Sequence, residues 1–370
     1  MNEEVKYEKP SETLPLSKKD KPEYQFLDPK EIDSNPNYHR KLIVLDKEKE
    51  EPNVELLKVC SYNVLASKFL FKWVYGVETK YAEFNYRSLN VLKELEFYDS
   101  DILCLQEVDN YDEFYREKLA KLGYDTIFKM KAKVGRYWLL PGVGAVLGYK
   151  SDKYELVEQK SLIYDNFDKD ITNTGIEGIF ALLKNKKTEN MFLVSSTHTH
   201  WSSDDDFVQY GQMACLMHNI NELLTARQLQ HVPIIVCGDF NVNSRSNVIR
   251  FMNQEEPKIE NLKPSWFCKT PKEKVLSLWE KYPNKYKLFS AYEDQANPGK
   301  YFAEYTHYHR FHKAVIDFIF HTDNLKVKAV REMPSRADLG DHAPNQFYPS
   351  DHLRIEAILA LKNTMKHHLI

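Results

Sequence analysis

Glycine is scarce, 12 residues in 370, which argues against glycine-rich linkers and short glycine-punctuated repeats. Cysteine is scarcer. Its five copies are an odd number, no two are spaced Cys-x-x-Cys, and Cys60, Cys104 and Cys237 lie in apolar runs (KVCSY, ILCLQ, IIVCGD). A disulfide framework and a zinc ribbon are therefore not expected, and a reducing compartment, cytoplasm or nucleus, is. Nothing approaches the ~18 consecutive apolar residues of a membrane span. The opening MNEEVKYEKPSETLPLSKKDKPEY has neither a signal-peptide apolar segment nor the acid-poor, arginine-rich bias of a transit peptide. No membrane association is expected. An excess of one charge is also lacking: 51 Lys and Arg stand against 54 Asp and Glu, for a net charge of −3. A nucleic acid partner would be met at a local site and not along a basic track.

What is present is apolar mass, 42% hydrophobic and 13% aromatic residues, enough for a large core. Residues 1–50 read as a polar, proline-spotted tail, in which YHRKLIVL can add an edge strand. Residues 51–363 read as one domain, followed by a short tail at 364–370. Strands are expected at ELLKVCSYNVLA, DSDILCLQEVD, GVGAVLGYKS, GIFALLKN, NMFLVSSTHTHW, VPIIVCGDFNV, AVIDFIFH, LKVKAVREM and HLRIEAILAL. The spacing of FNYRSLNVLKELEFY predicts a helix with Leu89, Leu92, Leu95 and Tyr98 on one face. YDEFYREKLAKLGYD predicts a helix ended by Gly123, and DFVQYGQMACLMHNINELLTARQLQ another. The stretch 253–300 reads as a less regular surface elaboration with short helices. Strands and helices intermix without strict alternation, which predicts α/β (α+β) layers around large sheets.

The apolar strands end in polar residues: Asn63 in SYNVLA, Glu107 in LCLQEVD, His198 in SSTHTHW, Asp239 and Asn241 in CGDFNVN. Asp317 in VIDFIF and Asp351 with His352 in PSDHLRI complete the set. Singly, such residues cap turns or sit satisfied in a core. Together they mean more, because sheet geometry gathers strand ends at one edge, where ligand sites form. Glu107, Asp239 and Asp351 would repel one another in one cleft unless a cation or protons intervened. Oxygen ligands without thiolate suit Mg²⁺, with Mn²⁺ as a substitute. Two histidines and two asparagines beside the ion supply what phosphoryl chemistry requires.

A zinc enzyme is a rival, since THTH and HYHRFH are dense in histidine. The HxHxDH pattern fails at Ser202, and neither Cys-x-x-Cys nor HExxH occurs. His200, His307 and His309 are therefore expected to line the cleft and not to bind metal. FKMKAKVGRYW sets Lys129, Lys131, Lys133 and Arg136 beside Tyr137 and Trp138. That interleaving suits single-stranded nucleic acid, and equally an ordinary solvated loop.

The ordered set SYNVLA, LCLQEVD, STHTHW, CGDFNVNSRS, YTHYHRFHKAVIDFIF and PSDH resembles the endonuclease/exonuclease/phosphatase superfamily. Within it, the chain resembles the carbon-catabolite-repressor deadenylase, nocturnin and Angel branch, most of all its fungal Ngl-type RNA exonucleases. The resemblance implies a DNase I-like four-layer sandwich, two packed mixed or antiparallel sheets flanked by helices. It implies a Mg²⁺-dependent 3′–5′ exoribonuclease acting on single-stranded RNA by deadenylation or 3′-end trimming. Glu107 would be the principal metal ligand, with Asn63 and Asp351 binding or supporting the ion. Asp239 would handle the attacking water and Asn241 a phosphate oxygen. His198 and His352 would stabilise developing charge, with Asp317 orienting a histidine.

The pattern departs at three places. Val143-Gly144 stands where the family has Asp-Gly, and Ser203 and His312 stand where the deadenylases sandwich a base, with Phe311 adjacent. Adenine preference is thereby left open. Lys129, Lys131, Arg136, Phe311 and His312 remain the substrate-binding expectations. A phosphatase acting on a nucleotide or RNA-end phosphate, and a non-catalytic RNA-binding module, are the alternatives.

Overall fold

Runs such as ELLKVCSYN and IIVCGD are buried at nearly every position. Such strands must be covered on both faces, and the architecture does so with helices outside and a second sheet inside. The computed structural model describes residues 28–46, 54–71, 75–132, 142–164, 175–201, 206–260, 262–264 and 269–361, with Phe26 and Phe167. Arg136, Lys133, Ser202 and Ser203 lie outside the described residues, as do most of the two expected tails.

The first sheet holds β1 (Leu42–Val44), β2 (Glu55–Asn63), β3 (Ile102–Val108), β4 (Tyr124–Met130), β5 (Gly144–Lys150), β14 (Leu325–Arg331) and β15 (Ile355–Leu361), in the order β1-β14-β15-β2-β3-β5-β4. The second holds β6 (Tyr154–Ile163), β7 (Glu177–Asn185), β8 (Met191–His198), β9 (Ile234–Asp239), β10 (Leu288–Ser290) and β13 (Asp317–Thr322), in the order β10-β13-β9-β8-β7-β6. A small hairpin of β11 (His307–Tyr308) and β12 (Lys313–Ala314) lies apart. Each large sheet has one parallel pair, β2 with β3 and β8 with β9. Parallel neighbours need a crossover, supplied by α1 (Phe84–Tyr98) and α2 (Asp206–Ala226).

The sheets face each other through Leu57, Val59, Cys104 and Leu147 against Phe192, Val194, Ile235 and Ile319. Val91, Leu92 and Leu95 of α1 cover the first sheet, and α2 covers the second. This is the expected four-layer sandwich. Helix α1 buries Ser88, Val91, Leu92, Leu95 and Tyr98, whereas Leu89, expected on that face, is 39% exposed. One residue step is a 100° rotation, so including Leu89 displaced the apolar stripe.

Among the described strands, β4, β6, the short β10 and the β11–β12 hairpin have no counterpart among the expected ones. Both β4 and β6 are outer edges of their sheets, with burial confined to a few positions. An edge strand has little apolar pattern to read, and charges there block unwanted pairing. Residues 28–46, expected within a polar tail, include a helix and β1, which pairs antiparallel with β14. The Arg40 guanidinium anchors this segment by donating to the carbonyls of Glu332 and Arg354. In 253–300, α3 (Pro271–Lys281) and β10 pack Val275, Leu278 and Leu288 against α2, so this region is part of the outer core. No helix among the described residues is long and apolar enough to cross a membrane.

Candidate active site

Strand direction dictates where the polar ends fall. Strands β2 and β3 run parallel and finish at Asn63 and at Glu107–Val108, while β8 and β9 run parallel and finish at His198 and Asp239. Antiparallel to β9, β13 starts at Asp317 directly opposite Asp239. Antiparallel to β2, β15 starts just after Asp351 and His352. The two edges meet: Asn63 Nδ2 donates to Asp239 Oδ2 at 3.0 Å across the sheets.

Two backbone features make the convergence close. A Cβ on Gly238 would lie 2.0 Å from the Thr197 carbonyl oxygen, so only glycine lets β9 reach β8 and bring Asp239 beside His198. Glu107 has φ +56°, at an irregularity that shifts the register against β5 between Leu105 and Val108. A left-handed non-glycine residue carries strain of the kind stored at functional sites. Here it is secured by the Ala66 N–H, which donates to Glu107 Oε2 at 3.0 Å. Arg87 of α1 ties the surrounding loops by donating to the Val64 and Pro349 carbonyls, each at 3.1 Å.

The two buried imidazoles sit in opposite electrostatic surroundings. Burial alone would discharge His352, but Asp317, Asp239 and Asp351 outweigh it and hold the ring protonated. Its Nδ1 lies 2.9 Å from Asp317 Oδ2, and its Nε2 lies 3.5 Å from Asp239 Oδ2. His198 is held neutral, first by burial and then by the Lys131 ammonium. Lys131 Nζ stands 3.3 Å from His198 Nδ1. An ammonium only donates, so Nδ1 accepts and Nε2 carries the proton, 3.6 Å from Asp239 Oδ2 and 4.0 Å from Glu107 Oε1. Two N–H groups thus flank one carboxylate oxygen.

Burial pushes the Asp239 carboxyl up to about 7, against the lowering effect of His352. Its Oδ1 accepts from the Asn241 N–H at 3.0 Å. Glu107 is likewise raised, chiefly by burial. Burial also pushes Asp351 up, but the His307 hydrogen bond and the His352 charge outweigh it, so it ends well below the usual carboxylate range. Tyr75 Oη donates to its Oδ2 at 2.9 Å. Glu107, Asp239, Asp317 and Asp351 face the cations Lys131 and His352, so acids outnumber cations in the cleft, and the raised Asp239 and Glu107 carboxyls leave room for a further positive charge.

An oxygen-binding divalent cation fits that imbalance. Glu107 anchors one oxygen on Ala66 and keeps Oε1 for an ion. Glu107 stands apart from the two tight clusters of ligand atoms, His307/Asp351/His352 and Asp239/Asp317/His352. Mg²⁺ retains several waters and takes one or two carboxylates directly, so that separation is compatible with it. Asn63 was expected at the metal; its Oδ1 accepts from the Leu65 N–H at 3.0 Å and its Nδ2 is turned to Asp239. One amide hydrogen of Asn241 goes to the Thr199 carbonyl at 3.1 Å, leaving the second.

Among the expected substrate contacts, Lys131 is buried against His198 and Lys129 is half-buried on edge strand β4. Phe311 is 76% exposed with the Arg310 guanidinium 5.7 Å from its ring centre. His312 is exposed, its Nδ1 3.1 Å from His307 Nδ1. At Val143-Gly144 the glycine is obligatory, because a Cβ there would lie 2.2 Å from the Lys129 carbonyl oxygen.

Glu177 was not anticipated. It begins β7, next to the Gly178–Thr197 pair and so alongside His198. It is fully buried, and among the described residues no other residue donates a hydrogen bond to either carboxylate oxygen. The sequence signal is an acid opening an apolar run, IEGIF. Burial lifts the carboxyl to about 7 against the nearby Lys131 charge. Its folded value lies above its unfolded value near 4, so its contribution to stability is complete below about pH 4 and is lost as pH rises through 7. Glu177→Gln is expected to melt progressively higher than the parent between pH 5 and pH 8, by a few degrees at the upper end for a shift on the order of 3 kcal/mol. Parallel melting-temperature curves across that range would overturn this reading.

Comparison with known proteins returns one consistent answer. A family model described as Endonuclease/Exonuclease/phosphatase family matches residues 60–352. The chain is 26% identical over 369 residues to the CCR4-Not complex 3′-5′-exoribonuclease subunit Ccr4 of Mycosarcoma maydis, covering 86% of this chain and 52% of that protein. It is 26% identical over 332 residues to human 2′,5′-phosphodiesterase 12, covering 83% and 52%. The chain thus spans about half the length of these curated relatives. Among solved structures, ANGEL2, described as a 2′,3′-cyclic phosphatase, aligns at a TM-score of 0.71 with 23% identity over 87% of this chain and 99% of that one. The human nocturnin catalytic domain aligns at 0.64 with 21% identity, covering 88% and 98%. At those identities the structural likeness speaks for the fold.

Proposed function

Because the chain belongs to the endonuclease/exonuclease/phosphatase family, we propose that it is a divalent-cation-dependent phosphodiesterase, a 3′–5′ exoribonuclease that releases 5′-nucleotides from single-stranded RNA. The observation that carries the proposal is the convergence on Asp239. A neutral and a protonated imidazole approach its Oδ2 at 3.6 and 3.5 Å, and Asn63 holds it from the opposite sheet. The names of relatives at 26% identity, the Ccr4 subunits above all, favour RNA and the 3′ end.

Glu107 would be the principal ligand of Mg²⁺ or Mn²⁺, with Asp351 and Asn63 contributing at the same edge. When bound, the ion supplies a Lewis acid for the scissile phosphate. Asp239 orients the attacking water and accepts its proton as the new P–O bond forms and the bond to O3′ breaks. His198 and His352 donate N–H groups toward the oxygens that gain charge, and the spare amide hydrogen of Asn241 does the same. Asp317 holds the His352 ring with Nε2 facing inward. Phe311, exposed beside the cleft's histidines, offers a ring face for a terminal base, with Lys129, His312 and Arg136 as further substrate contacts. Cys60, Cys104, Cys215 and Cys237 are buried free thiols, in keeping with a cytoplasmic or nuclear setting.

A phosphatase acting on a nucleotide or RNA-end phosphate is the second reading, since ANGEL2 shares the fold and hydrolysis at phosphorus uses the same groups. A 5′-labelled RNA with Mg²⁺ separates the two. Stepwise shortening that stops when the 3′ end is blocked is the expected result. Release of phosphate from an intact chain indicates the phosphatase, and RNA binding without either product indicates a non-catalytic module.

A further inference from the structure

Histidine 307, expected only to line the cleft, is placed as a metal ligand would be. Its Nε2 lies 3.3 Å from Asp351 Oδ2, and its ring centre is 4.7 Å from that of His352. One donor atom from each of His307, Asp351 and His352 lies within 4.8 Å of the other two. Two ligand atoms on a tetrahedral Zn²⁺ at ~2.0–2.2 Å are separated by roughly 3.3–3.5 Å, so the His307–Asp351 pair already spans one edge of such a site.

The outer nitrogens make the stronger argument. A metal-binding imidazole donates its other ring N–H to an acceptor, which fixes the tautomer and aims the lone pair inward. His352 turns Nδ1 to the Asp317 carboxylate at 2.9 Å, leaving Nε2 for the cleft. His307 turns Nδ1 to His312 Nδ1 at 3.1 Å, leaving Nε2 facing Asp351. Both rings therefore have an outer hydrogen-bond partner and an inner nitrogen beside a carboxylate, His307 Nε2 at that of Asp351 and His352 Nε2 at that of Asp239, and a tautomer shift of His307 toward His312 frees its inner lone pair for an ion. Imidazole donors favour zinc-class ions over Mg²⁺, and such ions bind more tightly at a given site.

We propose that His307, Asp351 and His352 form a second cation site, selective for Zn²⁺-class ions over Mg²⁺, whose occupancy inhibits the enzyme. On binding, the ion displaces the Nε2 proton of His352 to solvent, takes that nitrogen together with His307 Nε2 and the Asp351 carboxylate, and a cleft water fills the remaining coordination. Metal binding at this site is independent of what the protein hydrolyses, whereas the inhibitory consequence rests on the function proposed above.

Titration of the metal-free protein with Co²⁺, a spectroscopic stand-in for Zn²⁺, tests the site directly. One equivalent is expected to produce the visible d–d bands of four- or five-coordinate cobalt, which Zn²⁺ displaces and millimolar Mg²⁺ does not. His307→Phe is expected to weaken that binding by at least about tenfold, and His312→Ala, at an exposed position where folding is not at risk, by about 10-fold through loss of the outer acceptor. Only weak six-coordinate bands, or affinities unchanged in both variants, would overturn the site. If the site is confirmed, Zn²⁺ should inhibit Mg²⁺-supported hydrolysis with the same dissociation constant. Zinc binding without inhibition would remove the regulatory part alone, and absence of any hydrolysis would count against the function proposed above and not against the site.

Discussion

Glu107→Gln is expected to lower Mg²⁺-dependent kcat/KM by at least about 10³-fold, on the order of 4 kcal/mol of transition-state stabilisation. Binding of a single-stranded RNA probe should persist. The substitution is close to isosteric and preserves an acceptor for the Ala66 N–H, which holds Oε2 at 3.0 Å, so the left-handed backbone at this position keeps its brace. What disappears is the negative charge on the oxygen left for an ion. The same change removes one of the carboxylates that repel one another in the cleft. The metal-free variant should therefore melt no lower than the parent, while losing most of the upward shift that Mg²⁺ or Mn²⁺ gives the parent by mass action. Thermal melting with and without the ion, beside initial rates, tests both halves. A variant that keeps full activity and an undiminished metal-induced shift would remove Glu107 from the site.

Asp239→Asn is expected to lower kcat by about 10²–10⁴-fold, the usual range for loss of a positioned base, with KM changed far less. The replacement carboxamide can still accept from the Asn241 N–H at 3.0 Å. Its amide would face Asn63 Nδ2, now 3.0 Å from Asp239 Oδ2, so two donors would oppose each other across the sheets. It would also present N–H to His198 and His352, the groups proposed to donate to substrate. The variant therefore loses the proton acceptor and disturbs the flanking donors together, without touching Phe311 or the basic residues assigned to RNA. Steady-state kinetics on a short oligonucleotide separates the parameters. A pure KM defect would reassign Asp239 to substrate binding.

Much of this was legible before any coordinate. Asn63, Glu107, His198, Asp239, Asp317, Asp351 and His352 each terminate or precede an apolar run, and one edge of a sandwich is where strand ends collect. Largely buried on both faces, β2, β3, β9 and β13 announced themselves by predominantly apolar runs. The edge strands β4 and β6 did not, because a strand with one neighbour and much exposed surface is under little pressure to alternate. Leu89 was misplaced on α1 because apolar spacing alone allowed two adjacent stripes, and packing against the first sheet selected the one through Val91.

Other features had no local signature. Glu177 reads as one acid in a strand; its neighbourhood with Lys131 and His198 depends on β7 lying beside β8 and on the end of β4 reaching over them. His307 reads as one of several histidines until the β11–β12 hairpin sets it against Asp351 and His312.

The amino-acid sequence by itself determined the buried strands, the main helices, and which acids and imidazoles are carried to the strand ends, since those follow from apolar pattern and glycine placement within a few residues. Only the tertiary structure decided what charge each of those groups bears. His198 and His352 are the same side chain at two strand ends, yet one is neutral beside Lys131 and the other protonated between Asp317 and Asp239. Their controlling neighbours are 67 and 35 positions away along the chain. Electrostatic energy in a buried site varies inversely with the separation of the charges, and that separation is set by sheet order, not by distance along the chain.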